Sequence, residues 1–436
     1  MAAASEGIPS VTDVDAVNFF TDRGLVADPY PYLEALQARC PVSKEPHHNV
    51  WMVTGWEEAT EVAGDADRFS SCIAVTGPFP GFPVPVEGRD DVAELIAKHR
   101  DELPFFDQLP ALDPPVHTDH RALLMRLITP KRLKENEDAM WTMVDRALDD
   151  YLVGTGGELI SGFAQPFTLM IIADLLGVPD ADREQFLREM QSGAHHGGGI
   201  GSVKGESLAK SPLEFLYDKF VDYIEDRRAN PRGDVLSEMA AATFPDGSVP
   251  DPGDVARVAA NLYSAGQETT VRLLSAALQI LGDNPEFQAQ LRADRSKVSN
   301  FIEEALRFES PVKGDFRLSK EPVTLGGVEV PSGSTLMVVQ AAANRDPRRF
   351  TDPNTFDPAR SNARQHIAFG RGIHTCPGAP LARAEARVAL ERLLDRTTDI
   401  RISEEHHGPA DARRYSYVPT YILRGLTELH LEFDLV

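Results

Sequence analysis

"FGRGIHTCPG", residues 369–378, sets one of only three cysteines in a 436-residue chain among glycines, with Arg371 and His374 close by. Three chemistries compete for Cys376. A free cysteine is commonly a small buried hydrophobe. A phosphatase-type nucleophile needs a loop of amides leading to an arginine at fixed spacing. Here six residues, not five, separate Cys376 from Arg383, and Pro377 and Pro380 remove two of the amides such a loop would turn on phosphate. The third reading is a thiolate ligand to haem iron. Glycines let backbone approach the sulfur, and "APLARAEARVALERLLDR" follows as a helix of favourable propensity. The first amides of that helix would stabilise a negative sulfur.

The rest of the chain narrows the choice. Amphipathic helical patterns broken by Pro and Gly dominate, with no repeat and no marked linker, so the expected fold is mainly α with a small β region. "VWMVTG" near residue 50, "VTLGGVEVPSG" at 323–333 and "LTELHLEF" near the end predict the minor strands. The apolar Pro/Gly/Phe-rich stretch that opens residues 71–105 has the character of a loop covering a site. "SGAHHGGGIGSVKG" at 192–205 reads as a connection between helices, with His195 and His196 solvated rather than metal-binding. Cys40, Cys72 and Cys376 imply no disulfide framework, which points to a reducing cytoplasm. A polar, acidic start and the lack of any long apolar run predict a protein without a membrane anchor. A net charge of −23 argues against nucleic acid and anionic lipid as partners.

Phe369-Gly370-x-Gly372-x-His374-x-Cys376-x-Gly378 resembles, at every defined position, the haem-binding signature of the cytochrome P450 family. Three further stretches match in the family's order. In "EEALR", Glu304 and Arg307 resemble the buried pair that locks to an arginine from "FDPAR", here Arg360, with a structural role. In "AGQETT", on a helix expected from about Asp254 to Leu281 and about 40 Å long, Glu268 and Thr269 resemble the acid–alcohol pair that relays protons. Gly266 there costs about 1 kcal/mol against Ala, which predicts a close approach or a local distortion. In "DPPVHTDHRALL", His117 and Arg121 resemble partners of the haem propionates, as do Arg317 in "KGDFR" and His374, while Arg371 would approach the haem edge. Phe369, Gly370, Gly378 and Ala265 complete the implied haem contacts. Val116 stands where an acidic residue is common and Pro377 where Leu or Val is common. The pattern runs from about Asp28 to the end, so residues 1–27 are expected to be a partly disordered extension and 28–436 one domain.

The resemblance implies a soluble haem-thiolate monooxygenase of the bacterial branch, with haem b held by Cys376 between the long central helix and the helix after the cysteine loop. One atom of O2 would enter an apolar substrate: a terpenoid, steroid, fatty or aromatic molecule. Phe79, Phe82, Leu262, Ala265, Val312 and Ile422 fall where the family lines its pocket. Lys313 and Asp315 lie nearby; Lys313 could pair with a substrate carboxylate, but the expectation is that one or both face solvent or a propionate. No flavin or nicotinamide fingerprint is present, so electrons would come from a ferredoxin served by an NAD(P)H-dependent ferredoxin reductase. Residues 360–401 hold eight Arg against four Asp or Glu, which places the expected docking face there, at Arg387 and Arg392. A peroxide-driven or non-oxygenase haem enzyme, or a haem sensor, would share the cysteine loop; a sensor would lack the oxygen-activating groove.

Overall fold

A computed structural model describes residues 13–194 and 212–436. His195, His196 and most of the 192–205 segment lie outside the described residues. The helices that frame the site are α1 (Trp56–Gly64), α2 (Val116–Leu127), α3 (Pro130–Tyr151), α4 (Gln165–Leu175), α5 (Pro212–Ala229), α6 (Val235–Ala240), α7 (Pro252–Asp283), α8 (Val298–Phe308) and α9 (Ala379–Arg396). The strands are β1 (Val42–Lys44), β2 (Trp51–Val53), β3 (Phe69–Ser70), β4 (Gly156–Glu158), β5 (Asp315–Ser319), β6 (Val323–Leu325), β7 (Val328–Val330), β8 (Thr335–Val338), β9 (Thr397–Ile402) and β10 (His430–Leu435). No helix among the described residues is long and apolar enough to cross a membrane.

The five-stranded sheet has the order β1-β2-β8-β5-β3, with β2 and β8 parallel and the other neighbours antiparallel. Pairing of Arg317 with Leu336 fixes Arg317 in the middle of that sheet. A second sheet runs β4-β10-β9, and β6-β7 is a hairpin pairing Val323 with Val330. Gly326 and Gly327 make its two-residue turn, both at positive φ (54° and 81°), a conformation that follows the twist of the strands and that glycine adopts without steric cost.

Helix α7 organises the helical half. Asp251 caps it by accepting from the Gly253 amide at 2.8 Å, Pro252 opens it, and its 32 residues span about 48 Å. Leu262, Tyr263, Leu274 and Leu278 bury one side of it against α4, α5 and α9 in a core that also takes Phe163, Phe167 and Leu390. α7 is one helix through Gly266. A Cβ there would stand 3.4 Å from Ile172 Cδ1 of α4, so the glycine marks a close but ordinary helix contact.

A second core lies on the large sheet and includes Phe316, Met337, Tyr421 and Ile422. Val14, Phe19, Phe20 and Leu25 are buried in the same cluster, so the segment before Asp28 is packed from residue 14 onward. Arg424 ties the two ends of the chain together. Its guanidinium donates to the carbonyls of Val26 and Ala27, each at 3.0 Å, and pairs with Glu309 at 2.8 Å.

Candidate active site

The cysteine loop is built by two glycines in the left-handed region, Gly370 (φ 68°) and Gly372 (φ 67°). A Cβ on Gly372 would come within 2.5 Å of the Ala63 carbonyl oxygen of α1, so no other residue lets the loop lie this close to that helix. The Cys376 amide donates to the Phe369 carbonyl at 2.8 Å, and Thr375 closes the turn through its amide and hydroxyl, both onto the Gly372 carbonyl. α9 then starts at Gly378, which is its N-cap, and the expected helix of residues 379–396 is found over that span. Burial pushes the Cys376 thiol up. The amides of Gly378 and Ala379, and the guanidinium groups of Arg121 and Arg383, pull the other way. These groups would favour a thiolate once iron takes the sulfur.

His117 and His374 meet beside this loop with ring centroids 4.2 Å apart. The Nε2 atom of each is buried without a hydrogen-bond partner among the described residues. Burial, then the charge of Arg317, then His117 and Arg121, hold His374 down to about 3, so it is neutral at ordinary pH. His117 is also lowered, by burial first and then by Arg121. Arg121 donates to the Thr375 carbonyl at 2.5 Å, and buried Arg317 donates to the Phe316 carbonyl and stands 3.4 Å from Asp315. Two imidazoles with unused nitrogens and two guanidiniums next to a cysteine ask for an anionic group with several acceptors. The two propionates of haem fit that demand, with Cys376 available to iron.

On α7, Asn261, Ser264, Ala265, Glu268 and Thr269 share the face that remains open within the fold. Thr269 Oγ1 donates to the Ala265 carbonyl at 2.8 Å. Glu268, half exposed, is ion-paired with buried Arg272 one turn on. Arg272 is wedged against Gly425, where a Cβ would lie 2.6 Å from its side chain. Leu262 sits about 100° round the helix from the centre of the open face and packs into the helical core, leaving Asn261 and Ser264 on the open side. The other expected lining residues gather in one place. Phe82 and Val312 pack against the sheet-side core that contains Ile422, and Phe79, exposed at 39%, meets Phe20 and His48 edge to face and the Tyr421 ring at a tilt.

Lys313 corrects its expectation. It faces neither solvent nor an anion: it is buried, donates from Nζ to the Thr420 carbonyl at 2.6 Å, and its amide donates to the Ile422 carbonyl. Burial and the charges of Arg424 and Arg272 pull its ammonium down to about 7. Asp315 lies against Arg317, with its carboxyl raised by burial.

Two ion clusters support the loop. Arg307 and Arg360 both clasp Glu304, at 2.7–2.8 Å and 3.0–3.1 Å, and spend their remaining donors on carbonyls of residues 344–355. The neighbouring Glu303, which the sequence reading passed over, receives His366 at 3.0 Å and Arg383 at 2.7 Å and 3.0 Å. Arg383 lies on the Phe369 ring, 4.6 Å from its centroid, so Glu303 braces the loop from behind. The adjacent carboxylates of "EEALR" were the available signal.

The expected docking arginines are engaged within the chain. Arg387 pairs with Glu137 at 2.5 Å, Arg392 with Asp145 at 2.9 Å and Arg396 with Asp149 at 2.9 Å, lacing α9 to α3. Beside the cysteine loop the Arg364 side chain is 72% exposed although its Nε lies 3.6 Å from Glu303, Arg371 is exposed over the Trp56 ring, and Ile373 shows 39% of its surface.

Comparison with known proteins agrees with this geometry. The family model described as "Cytochrome P450" matches residues 214–398. Cytochrome P450 144 of Mycobacterium tuberculosis is 30% identical over 435 residues, 99% of this chain and 94% of that protein. The cytochrome P450 monooxygenase PikC of Streptomyces venezuelae is 32% identical over 98% of this chain and 95% of its own. Among solved structures, Mycobacterium marinum CYP150A6 in its substrate-free form superposes with a TM-score of 0.91 at 50% identity, covering 97% of this chain and all of that one.

Proposed function

Because this chain belongs to the cytochrome P450 family of haem b monooxygenases, we propose that it inserts one atom of O2 into an apolar small molecule, with single electrons supplied by a ferredoxin. The observation that carries this reading is the conjunction of Cys376 on its glycine loop with two buried, unpartnered imidazole nitrogens. When bound, haem supplies the site where dioxygen is reduced and split, with a thiolate pushing electron density toward it.

The chain's own residues hold and serve that group. Cys376 Sγ is the iron ligand. His117, His374, Arg121 and Arg317 would hold the propionates, the histidines at their unpartnered Nε2 atoms and the arginines through their guanidinium groups. Thr269 Oγ1, one turn from Ala265, donates a proton on the open face of α7. The Glu268 carboxylate, at the exposed side of that face, returns one from solvent after swinging off Arg272. Ile422, Val312 and the 71–105 loop close the apolar end and exclude water. An acidic ferredoxin meets the rim of the cysteine loop, with Ile373 as the apolar contact and Arg364 and Arg371 as the charged ones.

The test is spectroscopic. Haem-loaded protein reduced under carbon monoxide shows the red-shifted Soret band of a thiolate-ligated carbonyl complex, and Cys376→His removes it. Apolar compounds that shift the ferric spin state are then turned over with isotopically labelled dioxygen. A normal haem load without that band, or product without label, refutes the reading.

A further inference from the structure

We propose that the half-open cleft between α2, α6, the first turns of α7 and Arg132 of α3 is a binding site for a small apolar carboxylate, separate from the Cys376 site. The cavity holds about 300 Å³, at the low end of small-ligand pockets. At about 30 Å³ per water this is room for about ten waters, or for one medium-chain acid. Its walls are apolar: Leu123 and Leu127 from α2, Met239 from α6, Ala242 just after it, and Val255 and Val258 from α7. Water against these walls finds hydrogen-bond partners only at the polar rim, whereas an alkyl chain needs none.

The rim chooses the headgroup. Arg126, Arg132 and Glu238 all line the cavity. Arg132 spends Nη2 on Glu238, whose side chain is 71% exposed, while its Nη1 is buried with no partner among the described residues. Arg126 donates to the Thr243 hydroxyl at 3.3 Å, a long bond that leaves most of its donors free. Two guanidiniums and one carboxylate line the cleft, a local excess of positive charge in a chain whose net charge is −23. One added carboxylate balances that excess and gives Nη1 its acceptor. A neutral ligand leaves Nη1 unpaired, and a dianion repels Glu238.

The walls also say what occupancy does. α2 carries His117 and Arg121 just before Leu123, and α7 carries Ala265 two turns after Val258. An occupant therefore braces the two helices that bracket the haem site, and it does so without touching that site.

Decanoate is the probe, since it pairs a flexible apolar chain with one carboxylate. Haem-loaded full-length protein is first saturated with 4-phenylimidazole, which occupies the Cys376 site, and decanoate is then titrated by calorimetry. One equivalent binds, the haem absorption does not move, and thermal stability rises. Decanol binds at least tenfold more weakly. Arg132→Gln weakens decanoate at least tenfold, and Ala242→Phe, which fills the cavity, abolishes its binding. Should Ala242→Phe not fold, Val258→Phe is read in its place. Loss of decanoate binding once the azole is present, equal binding of decanol, or an affinity untouched by Arg132→Gln and by the filling variant overturns the proposal. None of these outcomes bears on the Cys376 assignment.

Discussion

Glu303 is buried on α8 between His366 and Arg383, two partners 63 and 80 residues further along the chain. Burial alone would raise its carboxyl, but the hydrogen bonds from His366 and Arg383 win and hold it at about 2. A carboxyl lowered from an ordinary 4.5 stabilises the fold fully above that value, and the contribution disappears as pH falls through 4.5 toward 2. The size is about 3 kcal/mol. His366, lowered mainly by burial, adds to the same acid sensitivity, because it must gain a proton as the chain unfolds below its ordinary pKa. Glu303→Gln should therefore lose about 3 kcal/mol at pH 7 and flatten the stability curve between pH 4.5 and 2, as urea titrations across that range will show. At the open face of α7, Thr269→Ala should leave stability and substrate-induced spin shift intact while product per electron pair falls, on the order of tenfold or more. Product and peroxide measured against reductant consumed give the answer. Thr269 and Glu268 were legible by resemblance. Arg272, which holds Glu268, was not, because an arginine four residues on has many roles open to it until Gly425 is seen pressed against it.

Glycines divide sharply once their surroundings are known. Gly372→Ala forces a Cβ into the Ala63 carbonyl in a left-handed backbone, so the cysteine loop must withdraw from α1. We expect a loss of about 1–3 kcal/mol and a poorer haem content, read by thermal melts and pigment absorbance. Gly266→Ala meets only the flexible end of Ile172, and helix propensity gains about 1 kcal/mol. Its melting midpoint should match or slightly exceed that of the parent. The sequence shows both glycines equally well, yet the space around them depends on α1 and α4, which no local pattern reveals. Elements whose reasons are local were legible in full: α9 from its propensities and its capping Gly378, and the β6-β7 hairpin from its Gly-Gly turn between alternating valines. The short strands β3 and β4 exist only through their partners in the sheets and left no pattern to read.

Charge is a property of the whole molecule that a count of residues describes poorly. Residues 360–401 look basic in sequence, but α3 supplies acids from about 250 residues away that neutralise Arg387, Arg392 and Arg396. Charge reversal at Arg364 and Arg371 together should slow reduction by an acidic ferredoxin about tenfold at low salt and flatten its salt dependence, as stopped-flow reduction will measure. Arg387→Glu should instead face Glu137, lowering stability by about 1 kcal/mol with little effect on reduction.

The clasp of Arg424 on the carbonyls of Val26 and Ala27 has a consequence in time. A growing polypeptide makes Phe19 and Phe20 long before Tyr421, Ile422 and β10. Phe19 and Phe20 have no finished lodging until Tyr421 and Ile422 leave the ribosomal tunnel, and β4 waits as long for β10. The molecule therefore cannot shut until Tyr421 and Ile422 have been made, and a nascent chain stalled before residue 421 would leave the aromatic faces of Phe19 and Phe20 uncovered.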